Sequence, residues 1–325
     1  MNTLLTNTGE RIQLVESIAQ GGEGEVWKTS KKGYLAKIYQ DPTRERIDKL
    51  QVMLNYPPRD PNADRNHVSF SWPLSLLEDA QGRKAGFLMP AIEGGRELLQ
   101  VYSPRLRKRE NLEVDWRFLH VTALNIASII QALHQAGYVL GDIKPQNILV
   151  NNRALPSIID TDSFQVRDPV TGEIHRCPVA SENYTPVELL GKDITQVNQD
   201  EVQDRFRLAV IIHCLLFGDT PFKGKWVGEG DSPEPTELVK QGWWPYAENS
   251  FIQPSKLTIP LDIVFPELKS CFLRAFNEGH QQPNLRPSAG EWKQVLNDAV
   301  KHLQECPNKT LHVFSSHWRE CYWCQ

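Results

Sequence analysis

Gly141-Asp142-Ile143-Lys144-Pro145-Gln146-Asn147-Ile148-Leu149 is the stretch from which the fold is read. Asp142, Lys144 and Asn147 bring a carboxylate, an ammonium and an amide together just before an apolar run. Thirteen residues beyond Asn147, Ile158-Ile159-Asp160 closes a second apolar run with an aspartate. Either aspartate alone reads as an acidic surface turn. The joint spacing makes that reading improbable.

Upstream, Gly21-Gly22-Glu23-Gly24-Glu25-Val26 stands between two strand-like runs. Glycines let a tight loop bring backbone N–H groups close to phosphates, although a plain hairpin turn reads the same way. Lys37, within Leu35-Ala36-Lys37-Ile38, follows thirteen residues after Gly24 and is flanked by apolar neighbours, unlike a solvated edge lysine.

Together these segments resemble the motifs of protein kinases. The resemblance implies that Asp142 orients the attacking hydroxyl and accepts its proton, and that Lys144 neutralises charge on the transferring phosphoryl group. It implies that Asn147 and Asp160 hold magnesium or manganese, and that Lys37 grips the phosphates of ATP. Gly21, Gly22, Gly24 and Val26 would then cover the nucleotide. Phe87-Leu88-Met89-Pro90-Ala91-Ile92 resembles the hinge, with Met89 as gatekeeper and Leu149 as a further nucleotide contact. Thr185-Pro186-Val187-Glu188 resembles the end of the activation segment, and Arg286 the arginine that pairs with Glu188. Asp204 and Leu208–Ile212 resemble the central helix of the large lobe. The resemblance covers about residues 10–303, in collinear order.

Several positions depart from that pattern. Leu140-Gly141-Asp142 lacks the usual arginine, so a phosphorylated activation segment has no partner there. Asp160-Thr161-Asp162 replaces Asp-Phe-Gly. Ala19 stands for the first loop glycine, and Leu35 for the small roof residue. The glutamate expected to pair with Lys37 is not evident; Glu45 and Gln51 are the two candidates. The missing glutamate suggests a pseudokinase scaffold, and Gly141-Asp142 is similar to the loop of small-molecule phosphotransferases. Retention of Lys37, Asp142, Asn147 and Asp160 argues against the first, and Glu188 with Arg286 against the second. The expected activity is Ser/Thr protein kinase. The run Asp160–Val166, the Gly-rich loop and the tail resemble kinases of the tellurite-resistance-associated triads, which implies a von Willebrand A-type protein and a PP2C-type phosphatase as partners.

Residues 12–39 alternate as three short strands. Asp41-Pro42 reads as the cap and first residue of a helix with Ile47, Leu50, Met53 and Leu54 on one face. Further strands are expected at 68–77 and 84–92, around the turn Asp79–Gly82. From Asp115 the period becomes helical, up to Gly137, with short strands near Ile148 and Ile158 and helices near 202–217, 263–276 and 288–303. Strands first and helices after predict an α+β chain, a β-rich small lobe (1–92) on an α-rich large lobe (93–303). The aromatic, proline-rich stretch 226–260 reads as an insert that packs on its own lobe or docks a partner.

The 325 residues carry a net charge of -4, which gives no basic face for nucleic acid. The start, MNTLLTNTGERIQL, lacks the basic-then-apolar pattern of a leader, and Leu208–Phe217 is about half a membrane span, so a cytoplasmic protein is expected. Cys177, Cys214 and Cys271 read as buried small hydrophobes. Cys306, Cys321 and Cys324 crowd the last twenty residues, 304–325 forming a zinc-ribbon-like tail. Clustered thiols in a reducing compartment point to zinc, with His312 or His317 able to complete the site; the resemblance to these kinases implies His312, with His317 as its alternative.

Overall fold

The computed structural model describes residues 3–324. Strands β1 (Thr3–Thr6), β2 (Arg11–Gln20), β3 (Gly24–Thr29) and β4 (Tyr34–Tyr39) form an antiparallel meander. Helix α1 (Arg44–Asn55) follows, then β5 (Ser75–Glu78) and β6 (Lys84–Pro90). Strand β6 pairs with β4 and β5, and β5 pairs with β1, so six strands close into a barrel. Period-two alternation sends Leu4, Ile12, Leu14, Ala36, Leu77 and Leu88 into its interior. The opposite face carries Val26, Leu35, Lys37, Phe87 and Met89, aligned by the registers Val26↔Lys37, Lys37↔Phe87 and Leu35↔Met89.

Three expectations need correction here. Strand β1, which closes the barrel, was not expected. The 68–77 run forms a ladder only from Ser75, because Ser69 and Ser71 instead bond Ile158 (Ile158 N–H to Ser69 O, 2.8 Å; Ser71 N–H to Ile158 O, 2.9 Å). Helix α1 is capped by Thr43, not Asp41: Thr43 Oγ1 accepts from Arg46 N–H at 3.3 Å, while the Asp41 carbonyl is occupied by Thr43 N–H.

Strand β7 (Arg96–Glu97) leads into α2 (Leu98–Tyr102), α3 (Pro104–Arg109) and the long α4 (Trp116–Gln135). Asp115 caps α4 by accepting from Phe118 N–H at 2.7 Å, and Gly137, with φ +83°, turns the chain out of it. Strands β8 (Ile148–Val150) and β9 (Pro156–Ile158) complete a small sheet with β7, and β10 (Val166–Arg167) pairs with β11 (Ile174–His175). Helix α5 (Glu201–Phe217) is apolar around most of its circumference and is buried from Phe206 to Phe217, the signature of a central helix.

Beyond it lie β12 (Lys225–Trp226), α6 (Pro235–Gln241), β13 (Ile252–Gln253), α7 (Pro266–Leu273), α8 (Gly279–Gln281) and α9 (Ala289–Lys301). A π-turn at Arg274–Glu278 interrupts the helix expected over 263–276. Within 226–260, Trp244 is fully buried and its Nε1–H donates to Asn277 Oδ1 at 2.6 Å, so this residue packs on its own helices. Arg286, 1% exposed, donates to both oxygens of Glu188 at 2.6 and 2.9 Å. A last hairpin, β14 (Leu303–Glu305) and β15 (Val313–Ser315), carries the cysteine-rich end. Among the described residues, no helix is long and apolar enough to cross a membrane.

Candidate active site

The loop holding Asp142 is anchored from beneath. Asp204, fully buried on α5, accepts the N–H groups of Leu140 (2.7 Å) and Gly141 (3.0 Å), His134 Nε2 (3.1 Å) and Arg207 (3.1 Å). Burial alone would raise the Asp204 pKa, but the His134 bond and the Arg207 charge outweigh it and hold it below the usual range. Gly141 has φ +74°, and a Cβ there would meet Cys177 Cβ at 2.6 Å. Asp142 Oδ2 accepts Lys144 Nζ at 2.6 Å, while the buried Oδ1 has no hydrogen-bond partner among the described residues. A buried, unpartnered carboxylate oxygen is costly in a finished core and suits an acceptor awaiting a donor from another molecule.

Asn147 and Asp160 are brought together by the bond from Ile159 N–H to Asn147 O (2.9 Å). Asp160 lies in the left-handed region at φ +61°, a strained state for a non-glycine residue that turns its carboxylate toward Lys37 (Nζ to Oδ1, 2.8 Å). Lys37 reaches a second carboxylate, Asp162, also at 2.8 Å, and lies 3.9 Å from Glu23. Burial works against the Lys37 charge, but Asp162 and Asp160 outweigh it and its pKa is raised. Tyr39 O–H donates to Asp162 Oδ2 at 2.8 Å, and its pKa is raised by burial and by that charge.

Neither Glu45 nor Gln51 pairs with Lys37. Both are exposed on α1, and Gln51 donates to Asn55 at 3.2 Å. Leu50 and Met53 set the inward face of α1, which leaves Lys49 as the charged residue turned inward, 7% exposed. Sequence reasoning therefore missed Asp162 and Tyr39 as partners of Lys37. The Asp160-Thr161-Asp162 pattern held the signal, since the second carboxylate follows the first by two residues.

The remaining candidates lie on or next to β3, β4, β6 and β8. Gly21 and Gly22 sit in an exposed turn, closed by Gly21 N–H to Gly24 O at 2.9 Å. Gly24 lies against β4 so closely that a Cβ would meet Ile38 O at 2.2 Å. Val26 and Leu35 are half-buried, Met89 is buried, and half-buried Pro90, Ala91 and Ile92 continue the strand outward. Leu149 is half-buried on β8, and Gly95 packs against it with no room for a Cβ (2.8 Å). A lysine for phosphate and hard oxygen donors from Asp160 and Asn147 fit a nucleotide carried with magnesium or manganese.

At the end of the chain Cys306, His312, Cys321 and Cys324 bring their ligand atoms within 4.8 Å of one another. Individual separations are 3.6 Å (Cys306 Sγ to Cys324 Sγ), 3.7 Å (Cys321 Sγ to His312 Nδ1) and 3.5 Å (Cys324 Sγ to His312 Nδ1). The edge of a tetrahedron with metal–sulfur bonds of about 2.3 Å is about 3.8 Å, so the donor set fits zinc. His317 lies outside the cluster: its two ring nitrogens meet Ser315 Oγ (2.7 Å) and Asp262 O (2.8 Å).

Comparison with known proteins gives the same direction. Residues 82–292 match the family model described as "Protein kinase domain". The sequence is 29% identical over 330 residues to Protein kinase YegI of Escherichia coli (strain K12), covering 99% of this chain and 50% of that protein. It is 26% identical over 236 residues to Ribosomal protein S6 kinase alpha-6 of Mus musculus (69% of this chain, 27% of that one). It is 25% identical over 160 residues to a "Probable serine/threonine-protein kinase" of Dictyostelium discoideum (49% of this chain, 21% of that one). The chain spans about half the length of the YegI relative and less of the others.

Proposed function

The chain belongs to the protein kinase family, and we propose that it is an active, ATP- and magnesium-dependent kinase of serine or threonine in a partner protein. The observation that carries this reading is the bond of Lys37 to Asp160, tied to Asn147 through Ile159, together with an Asp142 Oδ1 that is buried without a hydrogen-bond partner among the described residues. The Ser/Thr assignment draws support from the name of the Dictyostelium relative. In this reading Asp142 Oδ1 accepts the proton of the attacking hydroxyl, and Lys144, 2.6 Å from its other oxygen, faces the transferring group. Lys37 holds the nucleotide phosphates, Asp160 and Asn147 hold the metal, and Val26, Leu35, Met89 and Leu149 border the base. Magnesium, when bound, neutralises charge on the phosphates.

The same reading divides the chain into a small lobe (1–92), a large lobe (93–303) and a tail (304–325), and places it in the cytoplasm. The tail would bind one structural zinc through Cys306, His312, Cys321 and Cys324, all four positions being protein ligands. A von Willebrand A-type protein and a PP2C-type phosphatase as partners rest on the sequence resemblance alone. The pseudokinase alternative drew on the missing glutamate partner of Lys37; the Asp162 carboxylate bonded to Lys37 supports the active reading over it.

The test is transfer of radiolabel from γ-labelled ATP to a generic protein acceptor, with and without magnesium, beside a thermal melt. Magnesium-dependent labelling of serine or threonine, and a melting temperature that rises with ATP and magnesium, are expected. No transfer and no shift at saturating nucleotide would refute the assignment.

A further inference from the structure

Lys37 faces two carboxylates that differ in setting. Asp160 is 40% exposed in its side chain and sits beside Asn147, open to the cleft. Asp162 is 3% exposed in its side chain, and its oxygens are taken by Lys37 and by the Tyr39 hydroxyl. The short turn that carries Asp162, Thr161–Ser163, is fixed on both sides: Thr161 Oγ1 donates to Ser71 O at 2.9 Å and Ser163 Oγ to Asp160 O at 2.8 Å. A metal needs donors that open to solvent and to nucleotide, which Asp160 offers and Asp162 does not. A lysine that must meet phosphates from one fixed direction needs a buried, doubly held carboxylate, which Asp162 offers.

Helix α1 supplies the opposite charge. Lys49 is turned inward, lines the cavity of about 390 Å³ that it shares with Asp162, Tyr39 and Glu23, and forms no ion pair among the described residues. Burial lowers its pKa, as a buried cation with no close partner requires.

We propose that Asp162 is the positioning residue that holds Lys37 toward the nucleotide. The carboxylate of that pair thus comes from the segment after β9 and not from α1. Movement of α1 would leave the pair intact, whereas any rearrangement of residues 160–163 would break it and displace Asp160 in the same motion. The inference rests on nucleotide binding at Lys37, as set out under the proposed function.

The experiment compares wild type with Asp162→Asn, Asp162→Ala and Tyr39→Phe, measuring KM for ATP, kcat and the half-saturating magnesium concentration. Loss of the carboxylate is expected to raise KM for ATP by about tenfold or more, with the magnesium midpoint moved by no more than about twofold. Tyr39→Phe, which keeps the ring and the carboxylate, should raise KM by about two- to fivefold. In the Asp162→Ala background, Lys49→Glu would return a carboxylate from α1, and partial recovery of KM would support the role directly. If Asp162→Ala does not fold, Asp162→Asn and Tyr39→Phe carry the test. A KM for ATP within about twofold of wild type in Asp162→Asn overturns the proposal. So does a shift of about tenfold in the magnesium midpoint alone, which would make Asp162 a metal ligand. Wild-type protein that fails to transfer phosphate at all refutes the functional reading instead, so the two failures are distinct.

Discussion

Gly141 and Cys177 are in contact so close that a methyl group does not fit between them. A Cβ on Gly141 would lie 2.6 Å from Cys177 Cβ and 2.7 Å from its Sγ. The fully buried Cys177 therefore fills the space that any Cβ at Gly141 would need, and it packs the segment after β11 against the loop of Asp142.

Gly141→Ala should accordingly be destabilising twice over. A non-glycine residue at φ +74° costs about 1–2 kcal/mol, and the overlap with Cys177 adds about 1–3 kcal/mol. Chemical denaturation checks the sum. Cys177→Ala in the same chain, which removes the Sγ, should return part of the overlap cost and none of the backbone cost.

Catalysis should not require phosphate on the activation segment. Gly141 offers no cation to a phosphate, and the segment is already held by Gln165 and Gln199, which exchange bonds of 2.6 and 2.8 Å. Phosphatase-treated protein, and the Thr171→Ala and Ser181→Ala variants, should turn over within about threefold of untreated protein. Thr185 is buried, its hydroxyl donating to Ser181 O at 2.9 Å, and is a poor acceptor of phosphate. A strict dependence on phosphate at any of the three would reverse this conclusion.

Asp160→Ala and Asp142→Asn should each lower kcat by about 10²–10³, equivalent to about 3–4 kcal/mol of transition-state stabilisation. The two should separate in magnesium dependence: Asp160→Ala weakens the metal, while Asp142→Asn leaves the metal midpoint in place. Near-full activity in Asp160→Ala would pass the metal to Asp162 instead.

The residues whose partners lie in sequence motifs were legible: the pairing of Glu188 with Arg286 was implied by the resemblance, and the clustering of Cys306, Cys321 and Cys324 by spacing, with His312 or His317 left open. The position of α5 was legible because Leu208–Ile212 is apolar beyond what an amphipathic helix needs. What failed depended on pairing at long range or on which neighbour an apolar stripe carries inward. Strand β1 has only four residues before the Asn7-Thr8-Gly9 turn, and it is held by its pairing with β2 and, at long range, with β5. The apolar stripe of α1 faces inward as its spacing implies, and Lys49, next to Leu50, is carried inside with it while Glu45 and Gln51 stay exposed. Asp162 is 125 residues from Lys37, so the sole trace of this contact in the sequence is local, the second carboxylate two residues after Asp160.

The Glu188–Arg286 pair should make stability fall in acid. Burial would raise the Glu188 pKa, but the Arg286 bonds and charge outweigh it, so its carboxyl sits below the ordinary range. A depressed folded pKa contributes stability that is fully present above the unfolded value, about 4.3, and is lost as pH falls through the folded one. Glu188→Gln, which strands a guanidinium that is 1% exposed, should cost about 3 kcal/mol near pH 7. The gap between variant and wild type, followed by denaturation against pH, should be flat from about pH 7 to 5 and narrow below about pH 4. A gap that widens in acid would contradict this account.

The last prediction concerns the tail. Purified full-length protein, freed of loosely bound metal, should carry one zinc, held by Cys306, His312, Cys321 and Cys324. The order of this segment cannot come from its own core, which among the described residues holds Cys306, Phe314 and Cys321 with Trp318 and Trp323 against them. With zinc bound it would come from the metal and from docking: Trp323 packs edge-on against Trp116 at 5.5 Å, and its Nε1–H donates to Val313 O at 2.7 Å. Trp116 in turn donates to Leu216 O at 3.0 Å, at the end of α5, so a tail ordered by zinc would brace the start of α4 and the end of α5 together. His312→Ala and Cys321→Ser should therefore lose zinc and lower the melting temperature, whereas His317→Ala, which loses only bonds to Ser315 and Asp262, should keep zinc at full stoichiometry. Elemental analysis reads the zinc and thiol titration reads the cysteines. Less than about a tenth of an equivalent of zinc in wild type, with Cys306, Cys321 and Cys324 freely titratable, would leave the tail an ordinary reduced peptide.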